Sequence, residues 1–576
     1  MPAKRKLPSV LIVFAALLHL SPAAAPYPSR IKPVKNLIIL IPDGCGTAHM
    51  SIARWFTPDH TLVQDRLHAG LVTTHSANSL ITGSAAAATA FATGYKTWED
   101  KSRARCLAQA PDTLRYGQGA AAETVAAWQP VATILEAAKQ SGRSVGIVAN
   151  CNSNHATPAA FSAHWHDRGD GNCITEQQVY FGLDVMLAGG YANLLPASIT
   201  SGKRGDGDNL LSVLEQRGYA VVTSAEQLDA LPATTGRVWG TFAPNHLCYE
   251  IDRTITAPTQ PSLAARTKKA IELLARNRKK GFVLVVEGSE VDWASHDNDP
   301  VGVISEYLAF NDAVGEAVAF AQQNGKTEVL VFPDHDNGGM SLGRRGDDYT
   351  STSLEPLRTI INGCTMSCAR LFDSLVTIAC REGSLSWKSV ADYLESEMKI
   401  TDITGEDNIF GIAEAVNRIA CTGNSKTHED VARIGEVISR RCNIGWTTFG
   451  HTGNMVPLYS FRLFPEETFD NTDIARYCEL LLRVDLNRTT QEQFVPAGKL
   501  FPSSEYHLSV DTNGVAEGAG SLTVEKGAVK VQIPFNRDYA LRGNDTLELG
   551  GRALYSKMGN MVYLPEKAGK LFSGKN

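Results

Sequence analysis

Between about residues 34 and 340 the chain alternates short, almost wholly apolar runs with longer stretches of helical period. Asn36–Ile41, Ser144–Ala149, Phe282–Val286 and Glu328–Phe332 read as buried strands, and Ala132–Ser141, Ala264–Arg276 and Ile304–Gln323 as helices. This alternation predicts an α/β fold, a mostly parallel sheet sandwiched by helices. From residue 341 to 445 the pattern turns helical, with amphipathic stretches at Ser386–Met398, Ile409–Ile419 and His428–Arg440, and reads as a helical insertion. Sheet signal returns at Thr447–Phe461, followed by a helix at Thr472–Leu482. After about residue 490 the alternation is strand-like, at Ser521–Val524, Val529–Ile533 and Met561–Leu564, which predicts a small β-rich C-terminal appendix. The expected organisation is therefore a leader (1–25), a first part of the α/β core (26–340), the insertion (341–445), a last part of the core (446–489) and the appendix (490–576).

The leader has the build of a secretory signal peptide. Lys4, Arg5 and Lys6 precede the apolar stretch Leu7–Leu20, and Pro22-Ala23-Ala24-Ala25 offers small residues for cleavage. The stretch is shorter than the roughly 20 residues needed to span a bilayer. The expectation is an exported protein, periplasmic or secreted, with no membrane span in the mature chain. Export to an oxidising compartment would allow some of the 11 cysteines to pair, and the odd count leaves at least one unpaired or joined between chains. A net charge of −6 argues against nucleic acid as the main partner.

Candidate chemistry sits where the apolar runs end. Asn36–Ile41 runs into Pro42-Asp43-Gly44, Phe282–Val286 into Glu287-Gly288-Ser289-Glu290-Val291-Asp292, and Glu328–Phe332 into Pro333-Asp334-His335. Ligands of open α/β sheets bind at the carboxyl ends of the strands, so three strands would deliver possible metal ligands to one edge. A fourth element is the stretch Ile81–Thr97, where one hydroxyl, Ser84, heads a run of small residues that can coil into a helix. A helix N-terminus presents unpaired N–H donors and a positive dipole end, which suits phosphate and a serine alkoxide.

Taken together, these motifs resemble the alkaline phosphatase family. The resemblance is carried by Asp43-Gly44-Cys45-Gly46, Thr82–Thr97, His155-Ala156-Thr157-Pro158, Glu287-Gly288 through His296-Asp297-Asn298, Asp334-His335 and Gly450-His451-Thr452-Gly453, in the family's order and over roughly residues 34–482. Any one motif is unspecific; six in order are not. The resemblance implies two Zn2+ and one Mg2+. Asp292, His296 and His451 match one zinc site. Asp43, Asp334 and His335 match the other, completed by Ser84. Asp43, Thr157 and Glu287 match the magnesium site, and Arg168 matches the arginine that grips phosphate. Imidazole and carboxylate suit zinc, oxygen donors suit magnesium, and a planar guanidinium can hold two phosphate oxygens.

The implied reaction is hydrolysis of small phosphate monoesters through a phosphoserine on Ser84, with an alkaline optimum. The alternatives left open are a phosphodiesterase or sulfatase on the same scaffold, and a non-catalytic exported binding protein. Assembly as a homodimer is left open too. The chain departs from the family pattern at Gly83, where many members carry an Asp that orients the arginine. His155 and Trp293 stand where the family varies, beside the metal ligands, and imidazole at position 155 could favour zinc in the third site. Cys45 is expected to be packing rather than a ligand.

Overall fold

The computed structural model describes residues 31–98, 114–116, 123–125, 128–346, 349–350, 353–404, 408–462, 468–515 and 519–573. The leader expected at residues 1–25 lies outside them.

Ten strands form the central sheet: β1 (Asn36–Pro42), β2 (His68–Thr73), β3 (Ser144–Asn152), β4 (Val185–Gly189), β5 (Tyr219–Val222), β6 (Arg237–Thr241), β7 (Phe282–Gly288), β8 (Thr327–Val331), β9 (Val456–Ser460) and β10 (Thr468–Asp470). Their order across the sheet is β10-β2-β9-β8-β1-β7-β3-β4-β6-β5. Among the described strands only β9 runs against the rest, pairing antiparallel with both β8 and β2. The α/β fold read from the sequence is thus the fold observed.

β1 is central and buried along its whole length. Leu37, Ile39 and Ile41 pack into one cluster, with helices Ser84–Thr93 and Ala156–Ser162. Ile38 and Leu40 pack into another, with helices Leu263–Leu274 and Pro300–Asn324. A strand covered on both faces needs apolar residues at every position, which is why β1, β3 and β7 read as unbroken runs. Each such side chain contributes roughly 1.5–3 kcal/mol by burial.

The register of these strands fixes the site. Ile41 of β1 pairs with Glu287 of β7, Pro42 with Gly288, and Leu40 with Val331 of β8. The residues that follow therefore emerge side by side at one edge.

Among the described residues five helices, Leu354–Gly363, Cys368–Glu382, Trp387–Met398, Ile409–Thr422 and His428–Arg441, occupy the segment read as an insertion and pack into one cluster with Ile52, Ala294, Val301, Val303 and Ile304 of the core. Its neck is closed by two short antiparallel bridges, Ser341–Leu342 with Ile444–Gly445 and Asp336–Asn337 with His451–Thr452. The sheet signal expected over Thr447–Phe461 reduces to the second of these bridges and β9. After residue 506 a five-stranded antiparallel sheet runs from His507 to Glu548. It packs on the main core, and Arg552 reaches inward to Glu136 at 2.6 Å. No helix among the described residues is long and apolar enough to cross a membrane.

Candidate active site

Asp43 follows β1 at a turn whose Gly44 has φ +70°, and a Cβ there would lie 2.7 Å from the Asp292 Cα. Close approach of two backbones thus requires glycine at this position. It lets the helix Glu290–His296 set Asp292 against the end of β1.

Two triads form. In one, His335 Nε2 lies 3.6 Å from Asp43 and 3.2 Å from Asp334, and all three side chains are buried. In the other, Asp292 lies 3.4 Å from His296 Nε2 and 3.6 Å from His451 Nε2. The ligand atoms within each triad lie within 4.8 Å of one another. Both histidines of the second triad have Nδ1 engaged by a carbonyl, His296 with Phe449 at 2.5 Å and His451 with Thr82 at 2.8 Å. That fixes each ring so that Nε2 faces Asp292, the arrangement a metal-binding imidazole needs. Asn337 donates to Asp292 Oδ1 at 2.7 Å and steadies the carboxylate.

Ser84 is the first residue of the helix Ser84–Thr93 and Gly83 is its cap. Its hydroxyl does not serve as a helix cap. Oγ lies 3.2 Å from His335 Nε2 instead. The run of alanines behind it is buried throughout, packed under helices Ala156–Ser162 and Asn471–Leu482.

Asp43, Glu287 and Thr157 are all buried, and Asp43 Oδ1, Glu287 Oε1, Thr157 Oγ1 and Asp334 Oδ2 have no hydrogen-bond partner. Orphaned buried oxygens are rare, and a cation would satisfy them. Electrostatics agree. Burial, then the charges of Asp334, Asp292 and Glu287, push the Asp43 carboxyl well up. Burial pushes Asp334 up to about 7. Burial would also raise Asp292, but hydrogen bonding and charge from His296, then His451, hold it well below the usual range. So many acidic groups in one dry volume are costly unless positive charge is present.

Arg168 reaches the cleft from the loop before helix Gly171–Phe181, and its Nη2 donates to His155 Nε2 at 2.9 Å. Trp293 lies edge-on to His155, with centroids 5.4 Å apart. Thr82, Gly83, Ser84, His155, Arg168, Asp292, Trp293, His296 and His451 together line a cleft of about 830 Å3.

Some residues at the site escaped the sequence reading. Cys151 is buried and its Sγ donates to Glu287 Oε2 at 3.1 Å. It, His155 and Glu287 form a third group of close ligand atoms. The strand-end rule could have found it, because β3 runs on to Asn152. His246 lies against Trp293 at 4.1 Å. His428, from the helical segment, stacks on His296 at 4.8 Å and contacts Asp297 at 2.7 Å. No local signal marks either. Cys45 is buried in the core, as expected for packing.

Comparison with known proteins gives the family. Residues 34–480 match the alkaline phosphatase family. The chain belongs to that family. Alkaline phosphatase 3 of Bacillus subtilis is 32% identical over 464 residues, which span 77% of this chain and 88% of that one. Two solved structures share the fold. The Thermus thermophilus alkaline phosphatase has a TM-score of 0.67 at 26% identity, covering 79% of this chain and 92% of its own. The cold-active enzyme of a psychrophilic Shewanella has a TM-score of 0.61 at 30% identity, covering 77% and 99%. This alkaline phosphatase is accordingly a metal-dependent hydrolase of phosphate monoesters. Its C-terminal residues, from 481 on, lie beyond the family match.

Proposed function

We propose that the phosphatase works through a phosphoserine on Ser84, with two Zn2+ and one Mg2+. The observation that carries this reading is the position of Ser84 Oγ, 3.2 Å from His335 Nε2 and in the lining of the cleft that Asp292, His296 and His451 also line. Asp43, Asp334 and His335 would hold one zinc. Asp292, His296 and His451 would hold the other. Asp43, Thr157 and Glu287 would hold magnesium, for which hard oxygen donors are suited. When bound, such a metal pair lowers the pKa of the attacking hydroxyl and stabilises charge on the leaving oxygen.

The chain's own residues do the rest. Arg168 holds two oxygens of the phosphoryl group and turns phosphorus toward Ser84. Ser84 Oγ loses its proton and bonds to phosphorus while the ester oxygen departs as the alcohol. Helix Ser84–Thr93 directs its free N–H groups at the developing anion. Water then attacks the phosphoserine from the face the alcohol left. The P–Oγ bond breaks, Ser84 recovers a proton and phosphate departs.

The signal-like leader supports export, to a periplasm or the exterior, and assembly as a homodimer fits the same reading. The test compares rates on a phosphate monoester, a phosphate diester and a sulfate ester, for the native chain and for Ser84→Ala. A native preference for the monoester and loss of turnover in the variant are expected. Full turnover by Ser84→Ala would defeat the serine route.

A further inference from the structure

We propose that the protein carries a second anion-binding cleft, at the opposite edge of the sheet from Ser84, which takes a soluble chain of condensed phosphates. The cleft has a volume of about 710 Å3. It opens beside the N-terminal ends of β1, β3, β7 and β8, whereas the catalytic residues follow their C-terminal ends. Seven-residue strands such as β1 and β7 put roughly 20 Å between the two edges.

Among the described residues its lining is five lysines and three arginines out of thirteen, with no Asp or Glu, in a chain whose net charge is −6. Lys32 and Lys35, Lys280, Lys326 and Arg462 come from four segments around one half-buried group, Arg143. The Arg143 guanidinium is held by neutral oxygens only, the Leu482 carbonyl at 2.8 Å, the Ser141 hydroxyl at 2.7 Å and the Lys35 carbonyl at 3.3 Å. Lys35 Nζ donates to the Arg278 carbonyl and Arg462 Nη1 to the Gly325 carbonyl. Glu328, buried beneath Arg462, accepts from the Ser460 hydroxyl and the Arg462 backbone N–H.

Against these cations the described residues set the buried Glu328 carboxylate, and such an excess of positive charge concentrates anions. The volume exceeds what one phosphate fills, and cations on several segments match several phosphoryl groups at once. Cations gathered from four segments within one open cleft match the spacing of phosphoryl groups along a soluble chain. Such binding would hold the enzyme on polymeric phosphate and leave the catalytic cleft open.

The test titrates Ser84→Ala protein with inorganic tripolyphosphate by calorimetry, in buffer free of other phosphate. The same titration is run on Ser84→Ala carrying Lys279→Glu and Lys280→Glu, two exposed positions. Binding that weakens about tenfold or more in the charge-reversed protein and falls with added salt is expected. The charge reversal placed in the native chain should leave monoester turnover unchanged. No binding, equal binding by both proteins, or binding to anionic phospholipid vesicles without binding of tripolyphosphate would overturn the proposal.

Discussion

Arg168 donates to the imidazole of His155 at 2.9 Å, while the family resemblance implies an orienting aspartate one position before Ser84. Here that position is Gly83. A guanidinium has only donors, so His155 Nε2 is the acceptor, and a neutral ring gives a weaker hold than a carboxylate.

The first prediction follows from that pairing. Gly83→Asp should tighten inhibition by inorganic phosphate, by about tenfold, because a carboxylate would restrain Arg168 more firmly. His155→Ala should loosen it. An inhibition constant unchanged in both variants would show that His155 does not position the arginine.

Gly44→Ala tests the close approach behind the two triads proposed to hold zinc. The added Cβ would sit 2.7 Å from the Asp292 Cα, at φ +70°. A cost of roughly 3 kcal/mol in stability is expected, with loss of bound zinc. Melting temperature and metal content measured together check it; a native melting curve with full zinc would contradict the packing described.

His428 provides a test of the helical segment's part in the site. It stacks on His296 and contacts Asp297. His428→Ala should weaken zinc binding by about tenfold, within the range for supporting residues around a metal, while the fold is kept. Competition against a chelator reads this directly.

Acid stability should depend on Glu136, which joins the C-terminal sheet to the core. Burial would raise its pKa, but the charge and hydrogen bond of His164, with Arg552, lower it from 4.5 to about 2. A carboxyl lowered on folding stabilises the native state above its unfolded pKa, and that contribution fades as pH falls through the folded value. The magnitude is about 3 kcal/mol, whole above about pH 4.5 and gone near pH 2. Glu136→Gln should therefore lower the urea midpoint at pH 7 and converge on the native chain toward pH 2, with chelator present throughout. Parallel curves would contradict it.

The strand ends were legible because parallel strands buried on both faces leave unbroken apolar runs, and the residues after such runs gather at one edge. Asp43, Glu287 and Asp334 come straight from that rule. Asp292 and His296, one helical turn apart, follow from the segment behind Glu287. His451 does not. Its place is set by a two-residue bridge to Asp336–Asn337, too short to show as a periodicity, so only the family resemblance pointed to it. Cys151 was hidden by ending β3 at Ala149 when the strand continues to Asn152. His246 and His428 reach the site through tertiary packing of distant segments, which local pattern does not encode. The hydroxyl of Ser84 was placed at the right helix terminus, though Gly83 takes the cap.

The central claim is that distant side chains gather two zinc ions around Ser84. Anomalous scattering at the zinc edge, from crystals of the zinc-loaded protein, tests it most directly. Two peaks roughly 4 Å apart are predicted, one among Asp43, Asp334 and His335, the other among Asp292, His296 and His451, both beside Ser84 Oγ. Zinc at other residues, or none at these, would contradict the account.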